Sequence, residues 1–494
     1  MGIWYKKNIS VVSSGAMEEL GYGAIRLDNK NFPHILTLGK NGTGQQTTFS
    51  YDTWRGKSSG GWGHWDQDFG PYLLCVQMVM KPDNYPAIVI SGAARKYSGY
   101  WGNCIEEYQA RTGPNIGDWT SQQWARDLTS LYPYFSMQHP NLCVHLYNKS
   151  YPGGGAYYAG DMEGAYTRIG VIPGTLDNFL RNQYRSVSDG VWYPTPNTSD
   201  GWGIPTFEGY VSNIGTIYQS KILVEAIDQD TGYVHIVRGS NGNGLIYQFY
   251  APDDGGWMSS AEIIEDSTSS YLVSAVSMTI DNNGYPVLAY QSSTGGLRVA
   301  SRKNKTHTAQ SNNWNKVLID TGKDSKFTTI KATWNNDLIV GATNRNVGNW
   351  EIRCYFLSGP RPWFGTRRSE VVHTVAGGAT YAWGQHDMDV DSNGYPHFIY
   401  PVQGGTVSNV LTYYYARYLG DSASLTKGLF YRDATPATKR VVLDNTGWTP
   451  SSPVVKCKIS SGDAVNTIFV DPNDECAGPI VKVSSGNKGL LIEP

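Results

Sequence analysis

One alternation of polar and apolar positions recurs along the chain: an Asp/Asn-Gly type turn, an aromatic residue, a Pro or its substitute, then a strand with apolar side chains at every second position. It reads Asp28-Asn-Lys-Asn-Phe-Pro33-His-Ile-Leu and Asp83-Asn-Tyr-Pro86-Ala-Ile-Val. It returns as Asp230-Thr-Gly-Tyr-Val234-His-Ile-Val, Asp281-Asn-Asn-Gly-Tyr-Pro286-Val-Leu-Ala-Tyr and Asp391-Ser-Asn-Gly-Tyr-Pro396-His-Phe-Ile-Tyr. Pro140-Asn-Leu-Cys-Val-His-Leu-Tyr and Asn336-Asp-Leu-Ile-Val-Gly-Ala keep the strand without the full turn. Neighbouring copies lie roughly 50 to 60 residues apart, apart from a longer stretch between the copies near 140 and 234. That length suits a four-stranded propeller blade and exceeds the roughly 20–30 residues of a β-helix coil.

The turn chemistry supports strands. Gly and Asn accept positive φ, and a Pro at the first residue of a strand loses no ladder bond. A lone four-stranded sheet has two apolar faces, so blades must lean on one another around a ring. The expectation is an all-β chain folded as a single β-propeller with seven four-stranded blades, six or eight being the alternatives. Residues 1–20 read as an N-terminal strand or attachment segment and 21–494 as the propeller, with a long Gly/Pro/Tyr-rich insertion at about 149–215. One short helix is predicted from Asp118 to Leu131, with Thr120 or Ser121 as its N-cap.

Composition agrees with many short strands. Charged residues make up 17% of the 494, while Gly numbers 56 and Tyr 34. The 16 Trp and 34 Tyr serve blade packing first, with a surplus for surface platforms on which sugar rings stack. A net charge of −2, with no basic run longer than Arg367-Arg368, argues against nucleic acid as the main partner. The six cysteines form no CxxC pair, which argues against a zinc site, and whether Cys457 and Cys476 pair stays open. No cofactor is expected. The N-terminus lacks an apolar signal region, and no apolar run approaches the ~18 residues of a membrane span. The expected location is a virion, or outside the cell without a classical signal peptide.

Several segments carry a resemblance. Glu106-Glu-Tyr-Gln-Ala-Arg-Thr-Gly-Pro-Asn-Ile-Gly-Asp-Trp119, His139-Pro-Asn, Tyr218-Gln-Ser-Lys221, Gly232-Tyr-Val-His235 and Pro252-Asp-Asp-Gly-Gly-Trp257 occur in the order found in sialidase-like BNR-repeat propellers. That group includes ulvan lyases and related polysaccharide lyases. The resemblance spans roughly 20 to 420. It implies a propeller acting on carbohydrate and, in the lyases, catalysis by an Asp-x-His before one strand and a second His after the next. Here the first stretch reads His64-Trp-Asp66-Gln-Asp68, with Asp68 at the His position, and the second reads Ser91-Gly-Ala-Ala-Arg95, without a His. Separately, Ile3-Trp-Tyr-Lys-Lys-Asn-Ile-Ser-Val-Val-Ser-Ser-Gly15 is similar to the opening of many phage tail and fibre proteins, which implies other virion proteins as partners.

Three function classes follow. The first is recognition of a polysaccharide or cell-surface glycan by a virion- or tail-associated propeller. The second is a polysaccharide lyase or depolymerase that eliminates across an acidic glycan, which requires a base and a cation for the carboxylate. His139, Tyr218, His235 and Arg95 are its catalytic candidates. His64, Asp66, Asp68, Lys221, Arg238 and Arg111 are candidates for holding the sugar. The third class is a purely structural virion component. His34, His235 and His397 share one repeat position, and that recurrence suggests a structural role, bonding a neighbouring blade. Asp161 and Glu163, beside Tyr157 and Tyr158, read as solvated loop charge, because residues two apart rarely reach the spacing of a glycosidase pair.

Overall fold

The repeated turn is the unit from which the molecule is built. In a computed structural model of the chain, Asn31, Asn84, Gly232, Gly284, Asn336 and Gly394 all have positive φ, between 63° and 79°. Each donates its N–H to the residue that opens its turn: Asp28, Lys81, Asp228, Asp281, Thr333 and Asp391, at 2.7–2.9 Å. The opening residue donates its own N–H across the turn, for example Asp281 to the Tyr285 carbonyl at 2.9 Å. An opening Asp also caps the loop: Asp281 Oδ1 accepts the N–H groups of Asn283 and Tyr285, and Asp391 Oδ1 those of Asn393 and Tyr395. Each turn reverses the chain from a first strand into a second.

The structure describes residues 2–13, 21–40, 47–54, 62–70, 72–97, 100–110, 119–126, 136–152, 156–172, 175–185, 192–194, 223–240, 244–254, 256–258 and 260–265. Further along it describes 274–292, 295–321, 324–346, 349–358, 367–375, 384–403, 410–421, 441–444, 454–459, 468–470 and 481–483.

These residues form antiparallel sheets that follow one another along the chain. The first sheet is Gly21–Leu27, Pro33–Lys40, Thr47–Trp54 and Trp62–Gly70. The second is Tyr72–Met80, Pro86–Tyr97, Tyr100–Ala110 and Trp119–Arg126. The third is Ser136–Val144, Met162–Ile172, Thr175–Arg185 and Trp192–Pro194. The fourth is Leu223–Ile227, Val234–Ser240 and Gly244–Ala251, edged by Gly256–Trp257 and Glu262–Glu265. The fifth is Ser274–Ile280, Pro286–Gln291, Leu297–Arg302 and Trp314–Asp320, and the sixth Asp324–Ala332, Leu338–Asn346, Asn349–Leu357 and Arg367–Val375. The seventh takes Asp387–Val390, Pro396–Gln403 and Val410–Asp421, and its outer strand is Gly2–Ser13 from the other end of the chain.

The first strands of these sheets touch in turn, and Asp387–Val390 of the seventh meets Gly21–Leu27 of the first. The circle is therefore closed, and the protein is a single all-β propeller. Its seam is the pairing of Gly2–Ser13 with Val410–Asp421, running from Gly2 opposite Asp421 to Ser13 opposite Val410. Of residues 1–20, read as an N-terminal strand or attachment segment, Gly2–Ser13 is a blade strand. A further four-stranded sheet, Val441–Asp444 through Val481–Val483, follows the ring in the chain.

The cores lie between blades, as the two-faced pattern of the strands requires. Tyr247, Phe249 and Ile264 of the fourth sheet pack on Leu288, Tyr290 and Trp314 of the fifth. Ile339, Cys354 and Val372 of the sixth meet Met388, Phe398 and Tyr400 of the seventh. Ile25 and Ile35 of the first close on Ile399, Tyr413 and Tyr415 of the seventh. Burying each such side chain contributes about 1.5–3 kcal/mol, and no blade acquires that burial alone.

Two expectations are corrected. The segment predicted as a helix from Asp118 to Leu131 contains the strand Trp119–Arg126, paired with Tyr100–Ala110 from Ala110 opposite Trp119 to Cys104 opposite Arg126. An unfilled sheet edge in the second blade outweighs a local helical pattern. The stretch at about 149–215, expected as a long insertion, supplies in its described part the second, third and fourth strands of the third blade, Met162–Ile172, Thr175–Arg185 and Trp192–Pro194.

Candidate functional site at the mouth of the central channel

The seven first strands wall a central cavity of about 720 Å³. The repeated turns form the rim at one end, where Tyr147, Gln229, Asp230 and Asn282 join the lining. Along the strands the wall mixes polar side chains such as Gln77, Glu225, Ser277 and Thr328 with apolar ones such as Val224, Val276 and Ile330. Part of this polarity is internally bonded: Ser277 Oγ donates to Thr328 Oγ1 at 3.2 Å, and Thr328 Oγ1 donates to the Ala289 carbonyl at 3.1 Å.

The third blade carries an enlarged rim turn. His145 N–H donates to the Asp161 carbonyl and Gly160 N–H to the His145 carbonyl, both at 2.8 Å. This is the bond pair of the short turns, with residues 146–159 inserted between its ends. The insert folds as a small hairpin, Lys149–Ser150 on Ala156–Tyr157. Its root is a ring stack of His145 on Tyr157, 4.0 Å apart at 15°, with Tyr151 set edge-on to Tyr157. Asp161 is fully buried there and accepts the Tyr158 N–H at 2.6 Å, so it is a turn residue and not solvated charge.

The hairpin is tied to the fourth blade's turn. The Tyr151 hydroxyl donates to the Thr231 carbonyl at 2.9 Å, and Lys149 Nζ donates to the Asp230 carbonyl. Leu146 N–H donates to Gln229 Oε1 at 2.8 Å, and Gln229 Nε2 donates to the Val144 carbonyl at 2.9 Å. So held, the hairpin leaves Tyr147 64% and Tyr158 53% exposed. On the sixth blade Trp334 is 73% exposed in its rim turn, and its carbonyl accepts from Nδ2 of the rim residue Asn282 at 2.8 Å. Large aromatic side chains thus stand in water on this rim, beside amide and carboxylate groups.

The two cations of the described lining are each paired with a carboxylate. Arg26 Nη1 lies 2.6 Å from Asp387 Oδ2, which also accepts the Ile25 N–H at 3.0 Å. Lys331 Nζ lies 3.1 Å from Asp389 Oδ1, while Asp389 Oδ2 accepts the Leu27 N–H at 2.9 Å. Burial would raise the Asp389 carboxyl, but Lys331 and Arg26 hold it below the usual carboxylate range. These carboxylates of the seventh blade bond backbone of the first, so they also tie the seam.

The residues singled out from the sequence are dispersed. His235 is 4% exposed, inside the fourth blade; its Nδ1 lies 2.6 Å from the Tyr247 hydroxyl and its ring is stacked 5.3 Å from Phe249. Burial lowers its pKa to about 3, with Asp228 opposing. It offers no atom to the channel. His34 and His397 repeat the arrangement, with Nδ1 against Tyr51 and Tyr415 and Nε2 turned toward Asp28 and Asp391. The tyrosine is on the same sheet, so the expectation that these histidines bond a neighbouring blade is corrected. His64, Asp66 and Asp68 stand in the outer strand of the first sheet, opposite Asp52, Ser50 and Thr48, and not on a loop before a strand. Arg95 is in the second strand of the second sheet, opposite Gly102. His139 lies in the first strand of the third sheet, and Arg238 in the second strand of the fourth, opposite Leu223. The side chains of these six residues, Tyr218, Lys221 and Arg111 altogether, and the side chains of Glu163, Cys457 and Cys476 lie outside the described residues.

Tyr147, Trp334 and the Arg26–Asp387 pair were not singled out from the sequence. A signal existed for Trp334: it occupies the turn position that is Asn29, Asn282 or Ser392 in other copies, where a large apolar side chain has nothing to pack on. Among the described residues no group of His, Cys, Asp or Glu is placed to hold a metal ion, and no helix is long and apolar enough to cross a membrane.

No protein-family model matches the chain, and no curated protein sequence matches it. Solved structures similar to it include the intramolecular trans-sialidase from Ruminococcus gnavus, at 9% identity over 82% of this chain and 95% of that one, with a TM-score of 0.40. Polysaccharide lyase Uly1 is similar at 9% identity over 80% and 89% of the two chains, with a TM-score of 0.41. The six-bladed fucose-recognising lectin of Aleuria aurantia is similar at 10% identity over 75% and 100%, with a TM-score of 0.37.

Proposed function

We propose that this propeller recognises a surface glycan at the rim of its central channel. The observation that carries the reading is the exposure of Tyr147 and Trp334, 64% and 73%, on the rim that also bears Gln229, Asp230 and Asn282. Sugar rings present apolar C–H faces and polar edges, so aromatic platforms beside amides and carboxylates match both. The hairpin that presents Tyr147 is fixed by bonds to the fourth blade, which limits the ordering cost of binding.

The test is a glycan array followed by calorimetry on the best ligand, with Tyr147→Ala and Trp334→Ala as variants. Each variant is expected to weaken binding by at least about fivefold, since stacking on one aromatic side chain contributes on the order of 1 kcal/mol beyond its buried area. Equal affinity in both variants would remove the rim from consideration.

The finer reading is a receptor-binding component of a virion or phage tail. It is supported by the likeness of Ile3–Gly15 to tail-protein openings. Because Gly2–Ser13 is spent on the seventh blade, attachment to a particle would use another surface. Detection of the protein in purified particles by mass spectrometry tests this. The elimination reading has less support, because His235 is enclosed and both cations of the described lining are paired with carboxylates.

A further inference from the structure

The rim reading leaves open which glycans are accepted, and the charges of the channel bear on that. Arg26 and Lys331 are the basic side chains of the described lining, against Glu225, Asp228, Asp230, Asp281 and Asp387. Both cations are already committed: Arg26 to Asp387 at 2.6 Å, and Lys331 to Asp389 at 3.1 Å. Lysines outside the lining also stand at the rim: Lys81 of the second blade's turn lies 2.9 Å from Asp83 Oδ2, and Lys30 is exposed in the first blade's turn, away from the third-to-fifth blade side. Lys149 Nζ bonds the Asp230 carbonyl, and Lys305 Nζ sits 5.0 Å from the centre of the Tyr285 ring. Asp230 stands exposed at the mouth, beside the hairpin that presents Tyr147.

A sugar carboxylate or sulfate entering this mouth would meet carboxylates on the third-to-fifth blade side and no uncommitted cation of the lining. Inside a concave polar site such like-charge approach weakens binding, because the walls focus the field. Rejection of this kind sets specificity as effectively as attraction does.

We infer that the channel mouth selects glycans without acidic groups, and that Asp387 and Asp389 act as specificity residues by neutralising Arg26 and Lys331. This rests on the rim being a glycan site. The same two carboxylates bond the Ile25 and Leu27 N–H groups, so one pair of residues both closes the ring and sets the sign of the channel. An asparagine at either position keeps an acceptor for the backbone and releases the cation.

The experiment measures binding of neutral gluco-, galacto- and manno-oligosaccharides and of their C6-oxidised uronate counterparts to the full chain, at low and at high salt. The wild-type protein is expected to bind the neutral member of a pair at least about tenfold more tightly, with the gap narrowing as salt rises. Asp387→Asn and Asp389→Asn should narrow the gap at low salt by tightening uronate binding. Asp230→Asn, at an exposed position, serves as the variant whose folding is not at risk, and it too should narrow the gap. Uronates that bind as well as their neutral partners in the wild-type protein would overturn the inference while leaving the rim as a glycan site. Neutral binding that survives both Tyr147→Ala and Trp334→Ala would remove the rim reading and this inference with it.

Discussion

Glu262 and Arg302 form a two-pronged ion pair across the boundary of the fourth and fifth blades, Oε2 to Nε at 3.0 Å and Oε1 to Nη2 at 2.7 Å. Glu262 is 2% and Arg302 1% exposed. Trp314 Nε1 and Asn313 Nδ2 also donate to the carboxylate, at 3.1 and 2.9 Å. The guanidinium stands over the rings of Tyr247 and Phe249. Every oxygen and most donors are used, which is the condition under which a buried pair is tolerated. Removing one partner leaves a charge with no water to solvate it. Glu262→Ala is therefore expected to cost about 3–5 kcal/mol, read as a lower urea midpoint. An unchanged midpoint would contradict this account of the boundary.

Acid should weaken the fold through its enclosed histidines. Burial lowers His145 and His386 to about 4 and His235 to about 3, each from an ordinary value of 6.5. Between those values the unfolded chain binds protons that the folded chain refuses, so these groups favour folding fully above pH ~6.5 and progressively less as pH falls toward their folded values. Each contributes on the order of 3–5 kcal/mol across that window. Thermal unfolding should move to lower temperature between pH 7 and pH 4.5, and His386→Asn should flatten the dependence. His386 meets Thr329 Oγ1 at 3.2 Å, Thr343 Oγ1 at 2.7 Å and the Gly341 backbone, polar partners that an amide also reaches. A pH profile with the same slope in the variant would count against this assignment.

The hairpin of the third blade should act on binding through its anchor. Tyr151→Phe removes the bond from the Tyr151 hydroxyl to the Thr231 carbonyl without removing the ring contact on Tyr157. A net loss of about 1 kcal/mol in holding the hairpin corresponds to about fivefold weaker glycan binding. Titration calorimetry reads the change, and the melting temperature should stay close to that of the parent.

Removal of residues 2–13 separates two roles of that segment. As an outer blade strand it covers the ladder of Val410–Asp421, and its loss leaves an open edge at the seam. The truncated protein is expected to melt earlier and to self-associate, seen by calorimetry and by light scattering. An arm used only for attachment would leave both readings unchanged.

Much of this architecture was legible because its signal is local. The turns at Asp28, Asp281 and Asp391 were readable as written, since Asp caps the loop, Asn or Gly takes positive φ and the following strand alternates. The third blade hid from the same pattern, because its turn is split by the hairpin between His145 and Asp161. The histidine recurrence was visible, but its partners were not: Tyr51, Tyr247 and Tyr415 stand 12 to 18 residues away along the chain, across a ladder.

Turn residues and two-residue periodicity dictate the blade, a four-stranded sheet with two greasy faces, and repetition dictates that such sheets stack. Each assignment that depends on a distant neighbour was settled by the closed ring. Trp119–Arg126 is a strand because Tyr100–Ala110 offers it an edge, and Gly2–Ser13 is a blade strand because Val410–Asp421 does. Arg26 is a silent cation because ring closure sets Asp387 against it. Backbone preference acts over a few residues, whereas hydrogen-bond ladders and ion pairs act over whatever the closed circle brings together.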